Sequence, residues 1–267
     1  MTQNIIIIFL GIIGANLGSF LNVVAHRTIE GRSWWGKERS ICENCKHELG
    51  FFELIPIFSW LILRGKCKNC GAKIGIRYIL VEIIMAITFG LIGHKYGISW
   101  AGLVACVGTC GILLNSLTDI ESGEIFDIYA ITIGILGMLI RIAGGIDALL
   151  NGFLGGLIGF GIFALIIILS RGGMGWGDAT FMAGMGALLG WKLTLLAFYI
   201  GIMFGGICVL FLMLIGKIHW GKGESVPLVP FLGVGCFITL LYGVEIMLFL
   251  GENYFFSYEA LIVKFPF

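Results

Sequence analysis

Residues 5–25 read IIIIFLGIIGANLGSFLNVVA, followed by His26 and Arg27, and this stretch decides the fold class. It holds no charged side chain and is about as long as the ~20 residues a helix needs to cross a bilayer core. No Lys or Arg precedes it, whereas His26, Arg27 and Arg32 follow it. A cleavable secretory signal has the opposite polarity, with a basic start and a small-residue cleavage site. The run therefore reads as a retained anchor with its N-terminus outside.

The rest of the chain repeats the pattern. Of 267 residues, 58% are hydrophobic and 12% charged, roughly half the charged share of a soluble domain, so a soluble globule is excluded. Apolar spans fall at about 4–25, 79–93, 98–118, 128–142, 146–170, 179–190, 193–215 and 226–250. The expected fold is an all-α polytopic membrane protein of about eight transmembrane helices, with a cytoplasmic zinc-binding loop domain after the first helix. The fourth span is short, and the sixth is too short unless it borrows flanking residues such as Trp191. Gly152, Gly155, Gly156, Gly159 and Gly161 recur at the spacing that lets helix backbones approach closely. Four regions are expected: a first helix over 1–25, a cysteine-bearing segment over 26–78, a membrane core over 79–251 and a tail over 252–267.

Alternating the spans from an outside N-terminus puts thirteen Lys and Arg inside and four (Lys95, Arg141, Lys192, Lys264) outside. That obeys the positive-inside rule. Ten of the seventeen lie between His26 and Tyr78, the only sizeable polar segment. Its apolar middle, Phe51 to Leu63, is too short to span and reads as interfacial or packed. The partner expected from this pattern is the lipid bilayer, and no nucleic-acid partner is expected.

That polar segment carries Cys42-Glu-Asn-Cys45 and Cys67-Lys-Asn-Cys70, two C-x-x-C pairs separated by 21 residues. Each pair on a tight turn places two thiolates on one tetrahedral zinc. A reducing cytoplasm argues against the disulfide alternative. His47 is a spare ligand that four cysteines leave unneeded. Cys106, Cys110, Cys208 and Cys236 lie in apolar spans without ligand spacing and read as small buried hydrophobes.

Carboxylates at a membrane edge are costly and hence functional candidates. Asp119 ends the third span, Asp127 follows eight residues later, and Asp178 lies in Gly175-Trp176-Gly177-Asp178 just before the sixth. Alternation puts all three at the cytoplasmic face. Two carboxyls at one depth can share a proton: the ionised one activates water and the protonated one donates to a scissile carbonyl. Asp119 and Asp178 are the candidate catalytic pair, and Asp127 can instead cap the fourth span. Gly175 and Gly177 leave the backbone bare beside Asp178, and Glu82, early in the second span, pairs with Arg77 or faces the polar site. A proton- or ion-coupled transporter with a zinc-stabilised loop is the alternative, but its acids belong nearer mid-membrane.

Together these stretches resemble the type IV prepilin peptidase family, a branch of the GxGD-type membrane aspartic proteases. The resemblance is carried by Gly18 to Val24 with His26-Arg27, the paired C-x-x-C sequences, Arg77-Tyr78, Val81-Glu82, the Asp119 to Asp127 interval, the Gly175 to Asp178 signature, and Pro227, Pro230, Phe231 and Leu232. It implies an endopeptidase of the bacterial cytoplasmic (inner) membrane that removes a basic leader from type IV prepilins and pseudopilins after a Gly. It also implies N-methylation of the new N-terminus with S-adenosylmethionine, catalysis by Asp119 and Asp178, and a structural zinc. Phe126, Thr180, Leu228 and Val229 depart from the family's usual Pro, Lys, Phe and Gly.

Overall fold

The computed structural model describes residues 2–35, 39–171, 173–216 and 226–251. The expected tail over 252–267, and Lys37, Lys217 and Lys222 of the inside count, lie outside them. The described residues form nine α-helices and one 3-10 turn, with no strand beyond two isolated bridges. Six helices are long and apolar enough to cross a membrane: α1 (Thr2–Ile29), α3 (Ile76–Tyr96), α4 (Trp100–Ser122), α6 (Ile146–Leu169), α8 (Trp191–Leu214) and α9 (Val229–Phe249). This is a multi-pass membrane protein. Of the eight expected spans, the fourth and sixth correspond to α5 (Asp127–Ile142) and α7 (Trp176–Leu189). At 16 and 14 residues, these reach only about 24 and 21 Å at the usual helical rise.

The chain divides into two compact units, 1–97 and 98–267. In the first, α1 and α3 pack antiparallel. Gly14 faces Met85 and Phe89, Gly18 faces Val81 and Met85, and Gly93 faces Ile6, Ile7 and Leu10. A Cβ on Gly14 would run into the Met85 backbone, so this seam exists only because glycine lets the two backbones touch. Asn22, fully buried on α1, accepts from Arg77 Nη2 on α3 at 2.7 Å. His26 and Arg27 lie inside α1, which runs four residues beyond Ala25.

Between the two helices, Phe51–Leu54 forms a 3-10 turn and Phe58–Ile62 the short helix α2. Phe51, Phe52 and Ile62 are each more than three-quarters exposed. Aromatic and aliphatic side chains displayed in this way suit the interfacial placement expected for Phe51 to Leu63.

In the second unit α7 is the hub. Phe181, Met182, Met185 and Leu189 are fully buried, with α5 running parallel to α7 and α6 antiparallel. Gly155 and Gly186 meet backbone to backbone, Gly159 lies on Met182, and Gly152 lies on Arg141 and Ala187. Gly161 is a correction to the expected stripe, because the space around it is open and no close approach requires it. Helices α8 and α9 form a second antiparallel pair, and α9 runs antiparallel to α4, with Gly233 against Ile112. The α6 and α8 flanks expose Phe153, Leu157, Leu169, Ile207 and Leu210, the surface expected to face lipid.

Two boundary expectations are corrected. Helix α7 takes nothing from Trp191: Gly190, at φ 86°, ends it, and Trp191 opens α8, its amide donating to Asn151 Oδ1 at 3.0 Å. The helix instead begins three residues early, at Trp176, so Asp178 lies in its first turn. The second correction concerns Arg141, expected as a flanking cation. It is 2% exposed and donates to the carbonyls of Ala187, Leu188 and Ala148 at 3.0–3.1 Å. The Ala187 and Leu188 carbonyls end α7, where helical partners run out and the dipole favours a cation. Buried Arg141 thus fixes the end of α7 opposite Asp178.

Candidate active site and metal centre

The metal-ligating chemistry lies in the first unit. Cys42, Cys45, Cys67 and Cys70 place their sulfurs within 4.8 Å of one another, Cys42 to Cys70 and Cys45 to Cys67 each at 3.9 Å. Thiolates around one tetrahedral zinc are separated by about 3.8 Å, from Zn–S bonds of ~2.3 Å. The four-cysteine group can therefore hold a metal ion.

The two halves are built alike. The Cys42 amide donates to His47 O, and the Lys46 amide to Cys42 O, both at 2.8 Å. In the second half the Cys67 amide donates to Ala72 O at 2.8 Å and the Gly71 amide to Cys67 O at 2.9 Å. Each turn needs a left-handed residue after its second cysteine: Gly71 at φ 70° and, at greater steric cost, Lys46 at φ 56°. Asn44 points its amide at Cys70 Sγ and Asn69 points its own at Cys45 Sγ, at 3.6 and 3.7 Å. Each asparagine thus supports the other half's sulfur, the outer-shell arrangement that orients metal ligands. Donors from the Ala72 amide and Asn44 bring the Cys70 thiol down to about 6, and the Cys45 and Asn44 amides lower Cys42. Low thiol pKa values favour the metal-binding thiolate. His47 lies 3.4 Å from Glu53 and stands outside the cluster.

The second constellation lies where the C-terminal end of α4 meets the N-terminal ends of α5, α7 and α9. Asp119 occupies the last turn of α4, which Gly123 closes in the left-handed conformation. Its Oδ2 accepts from the Val229 amide at 3.0 Å, an N–H at the opening of α9 that has no helical partner. Asp178 opens α7, and no hydrogen-bond donor reaches its carboxylate among the described residues. Both aspartates are 8% exposed.

Asp127 is placed differently from expectation. It is the first residue of α5, and its Oδ1 accepts from Thr180 Oγ1 at 2.7 Å rather than capping its own helix. The same hydroxyl lies 2.9 Å from Gly177 O. Asp127 and Thr180 thus tie the start of α5 to the start of α7, close to Asp178. Glu82 is 8% exposed, and its Oε2 accepts from the Ile57 amide at 2.7 Å. That contact anchors a turn in which Ile57 has φ 65°, while the guanidinium of Arg77 is directed at Asn22.

The two signature glycines do different work. A Cβ on Gly177 would come 2.6 Å from Ile125 Cβ, whereas one on Gly175 would meet nothing nearer than Asp178 Oδ2 at 3.9 Å. Gly177→Ala is therefore expected to lower stability by about 1–3 kcal/mol, the usual cost of overpacking. Gly175→Ala should leave the midpoint of thermal unfolding near the wild-type value, as scanning fluorimetry in detergent would show.

Sequence reasoning missed three contributors: the Val229 amide, Thr180 and Arg141. Arg141 carried a sequence signal, as a lone cation at the end of an apolar span, whereas Thr180 and Val229 stood out only as departures from the family's usual residues. The other two depend on which helix ends meet.

Comparison with known proteins covers both units. The Bacterial Peptidase A24 N-terminal domain matches residues 12–96, and the Type IV leader peptidase family matches residues 106–210. The prepilin leader peptidase/N-methyltransferase of Bacillus subtilis (strain 168) is 33% identical over 213 residues, covering 79% of this chain and 84% of that protein. Its counterpart from Burkholderia pseudomallei (strain 1026b) is 30% identical over 272 residues, covering 90% and 86%. That of Stutzerimonas stutzeri is 29% identical over 262 residues, covering 88% and 90%. No solved structure matches the chain.

Proposed function

Since the chain belongs to the type IV leader peptidase family, we propose that it is a prepilin leader peptidase/N-methyltransferase, with Asp119 and Asp178 as its catalytic pair. The observation that supports the reading is that two buried carboxyls stand at helix ends of the second unit, Asp119 in the last turn of α4 and Asp178 in the first turn of α7. Neither the fold nor the relatives support the transporter alternative.

The hydrogen bonding divides the roles. Asp119, facing the Val229 amide at the N-terminus of α9, is the member that holds the negative charge. Asp178, which no donor reaches among the described residues, keeps the shared proton. Asp119 takes a proton from water as the oxygen attacks the scissile carbonyl, and Asp178 gives its proton to the carbonyl oxygen. Collapse of the tetrahedral intermediate returns a proton to the departing amine. Asp127, through Thr180, positions the first turn of α7, and Gly177 allows that turn to sit against Ile125.

The substrate is a type IV prepilin or pseudopilin precursor. Its apolar stem stays in the bilayer, and its basic leader lies at the cytoplasmic face of the bacterial inner membrane, the side that the distribution of Lys and Arg favours for the aspartates. The four cysteines hold a structural zinc. S-adenosylmethionine, when bound, supplies an electrophilic methyl group to the newly freed amine, which loses a proton.

A narrow site between buried helix ends demands Gly before the cut, because a side chain there keeps the substrate backbone from the carboxylates. Competitive cleavage of two precursors in the same membranes tests this. A Gly→Val precursor should be processed at least about 100-fold more slowly, a loss of roughly 2.7 kcal/mol in transition-state binding. Equal rates would contradict the proposed site.

A further inference from the structure

Helix α2 (Phe58–Ile62) is inside out for an element that faces water. Phe58, Leu61 and Ile62 occupy one stripe at i, i+3 and i+4, and each is more than half exposed. Ser59 and Trp60 turn the other way, toward the interior of the first unit. The 3-10 turn packed against α2 continues the apolar display with Phe51 and Phe52, their rings edge to face at 5.7 Å. An exposed apolar surface on two adjoining elements marks an interaction site rather than a solvent face.

Two contacts fix the depth of this segment against the membrane helices. Ile57, next to Phe58, donates its amide to Glu82 Oε2 at 2.7 Å. Glu82 lies six residues into α3, about 9 Å from its start at the usual helical rise. Beside α1, the Trp34 ring stands edge to face with that of Phe20 at 6.4 Å. Phe20 precedes the end of α1 by nine residues, about 13 Å. Trp35, more than half exposed, stacks its ring edge on Trp34 at 5.0 Å. The chain therefore turns back along α1 after leaving it, and runs down beside α3 before entering it. Its exposed aromatic side chains lie level with the terminal turns of both spans, where α3 itself exposes Leu80 and Ile84. Beside a membrane helix that level belongs to headgroups and the first acyl carbons.

We propose that the cysteine-bearing segment docks on the bilayer, inserting Phe51, Phe52, Phe58, Leu61 and Ile62 beside α3, and Trp34 and Trp35 beside α1. The occupant of the patch is phospholipid. Apolar faces of this kind sit about 5–10 Å into the boundary between headgroups and acyl chains, and Trp concentrates at that boundary. Arg64, Lys66 and Lys68, all exposed, follow α2 directly, and their long stems let the charged ends reach the phosphates. A second copy of the chain could cover the same side chains, but it gives no reason for holding them level with two membrane helix ends. Docking clamps the cysteine cluster at a fixed height on the membrane surface, instead of leaving it to hang from α1 and α3 on a free loop.

Carbene labelling of the full-length protein in phosphatidylcholine nanodiscs tests this without any assay of activity. One preparation carries a lipid with a diazirine high on its acyl chain, the other a water-soluble diazirine. The lipid probe should mark peptides holding residues 33–35 and 51–62 to within about threefold of the peptide holding Leu80 and Ile84, as insertion at the boundary requires. The water-soluble probe should mark residues 42–48 and 68–71 instead. With Phe52→Asp and Ile62→Asp together, lipid label over 51–62 should fall about fivefold or more, because charge is expelled from the apolar layer. Bound zinc and the label on α3 should not change. Water-soluble label on 51–62 of the wild-type protein, with no lipid label there, would overturn the docking. Absence of both labels would overturn it too, since a second copy or another protein face would then cover the patch. Should the double variant lose its zinc, the two wild-type labelling patterns decide.

Discussion

Asp119→Asn and Asp178→Asn, each made alone, are expected to reduce prepilin cleavage by roughly 10²–10⁴-fold, the range that a positioned general acid or base supplies. An asparagine at 119 can still accept the Val229 amide through its oxygen but cannot take a proton from water. An asparagine at 178 cannot release one to the scissile carbonyl. Since the two carboxyls act as one unit, the double variant should be scarcely slower than either single variant. Asp127→Asn should behave differently, because the amide oxygen that replaces the carboxylate still accepts from Thr180 Oγ1. Measurable cleavage should survive. Rates on one precursor, with zinc content and thermal midpoint checked for every variant, would separate lost chemistry from lost structure.

The second large effect concerns the metal. Cys42→Ser, Cys45→Ser, Cys67→Ser or Cys70→Ser should each reduce bound zinc from one per chain to a small fraction and open residues 39–75 to protease. The other contacts on this segment are single ones, such as the Ile57 amide to Glu82. Its knuckles are single turns joined by isolated bridges, and Phe51, Phe52 and Ile62 contribute no buried core. Metal binding is therefore also folding energy here, worth roughly 10–16 kcal/mol in small zinc modules. A strong chelator should have the same effect on the wild-type protein. Elemental analysis and limited proteolysis would read both outcomes, and a freshly reduced preparation lacking zinc yet resisting protease would contradict the assignment.

The sequence made much of this fold legible because hydropathy is a local property. Each of the eight expected spans has a matching helix whose ends differ by a few residues. It failed where tertiary contacts rule. Helix α7 is short because Gly190 ends it, and Arg141 reaches from α5 to bind its last carbonyls, so Trp191 is not borrowed. Gly152, Gly155 and Gly159 fulfilled the spacing rule while Gly161, on the same helix, did not. Spacing alone does not tell which face meets a partner.

The candidate site was legible in part for the same reason. Asp119 and Asp178 were identifiable as carboxylates beside apolar runs, and the C-x-x-C pairs by their own spacing. The division of labour between the aspartates was hidden, because the Val229 amide lies 110 residues from Asp119 in the chain. The pairing of Asp127 with Thr180 was hidden too, and Thr180 stood out in the sequence only as a departure from the family's usual lysine. Lys46 gave no sign that it occupies the position of Gly71, because a left-handed lysine is a property of the turn rather than of the residue.

The most direct test of the central claim is the intact mass of the products formed when the purified, zinc-loaded protein acts on a prepilin precursor. An aspartic peptidase built on Asp119 and Asp178 should yield two fragments from a single cut after the Gly that ends the leader. The mature fragment should gain the mass of one methylene when S-adenosylmethionine is added, and neither fragment should form with Asp119→Asn or Asp178→Asn beyond the residual rate expected of them. A precursor left whole by the wild-type protein, or cut at the wild-type rate by either variant, would contradict the claim.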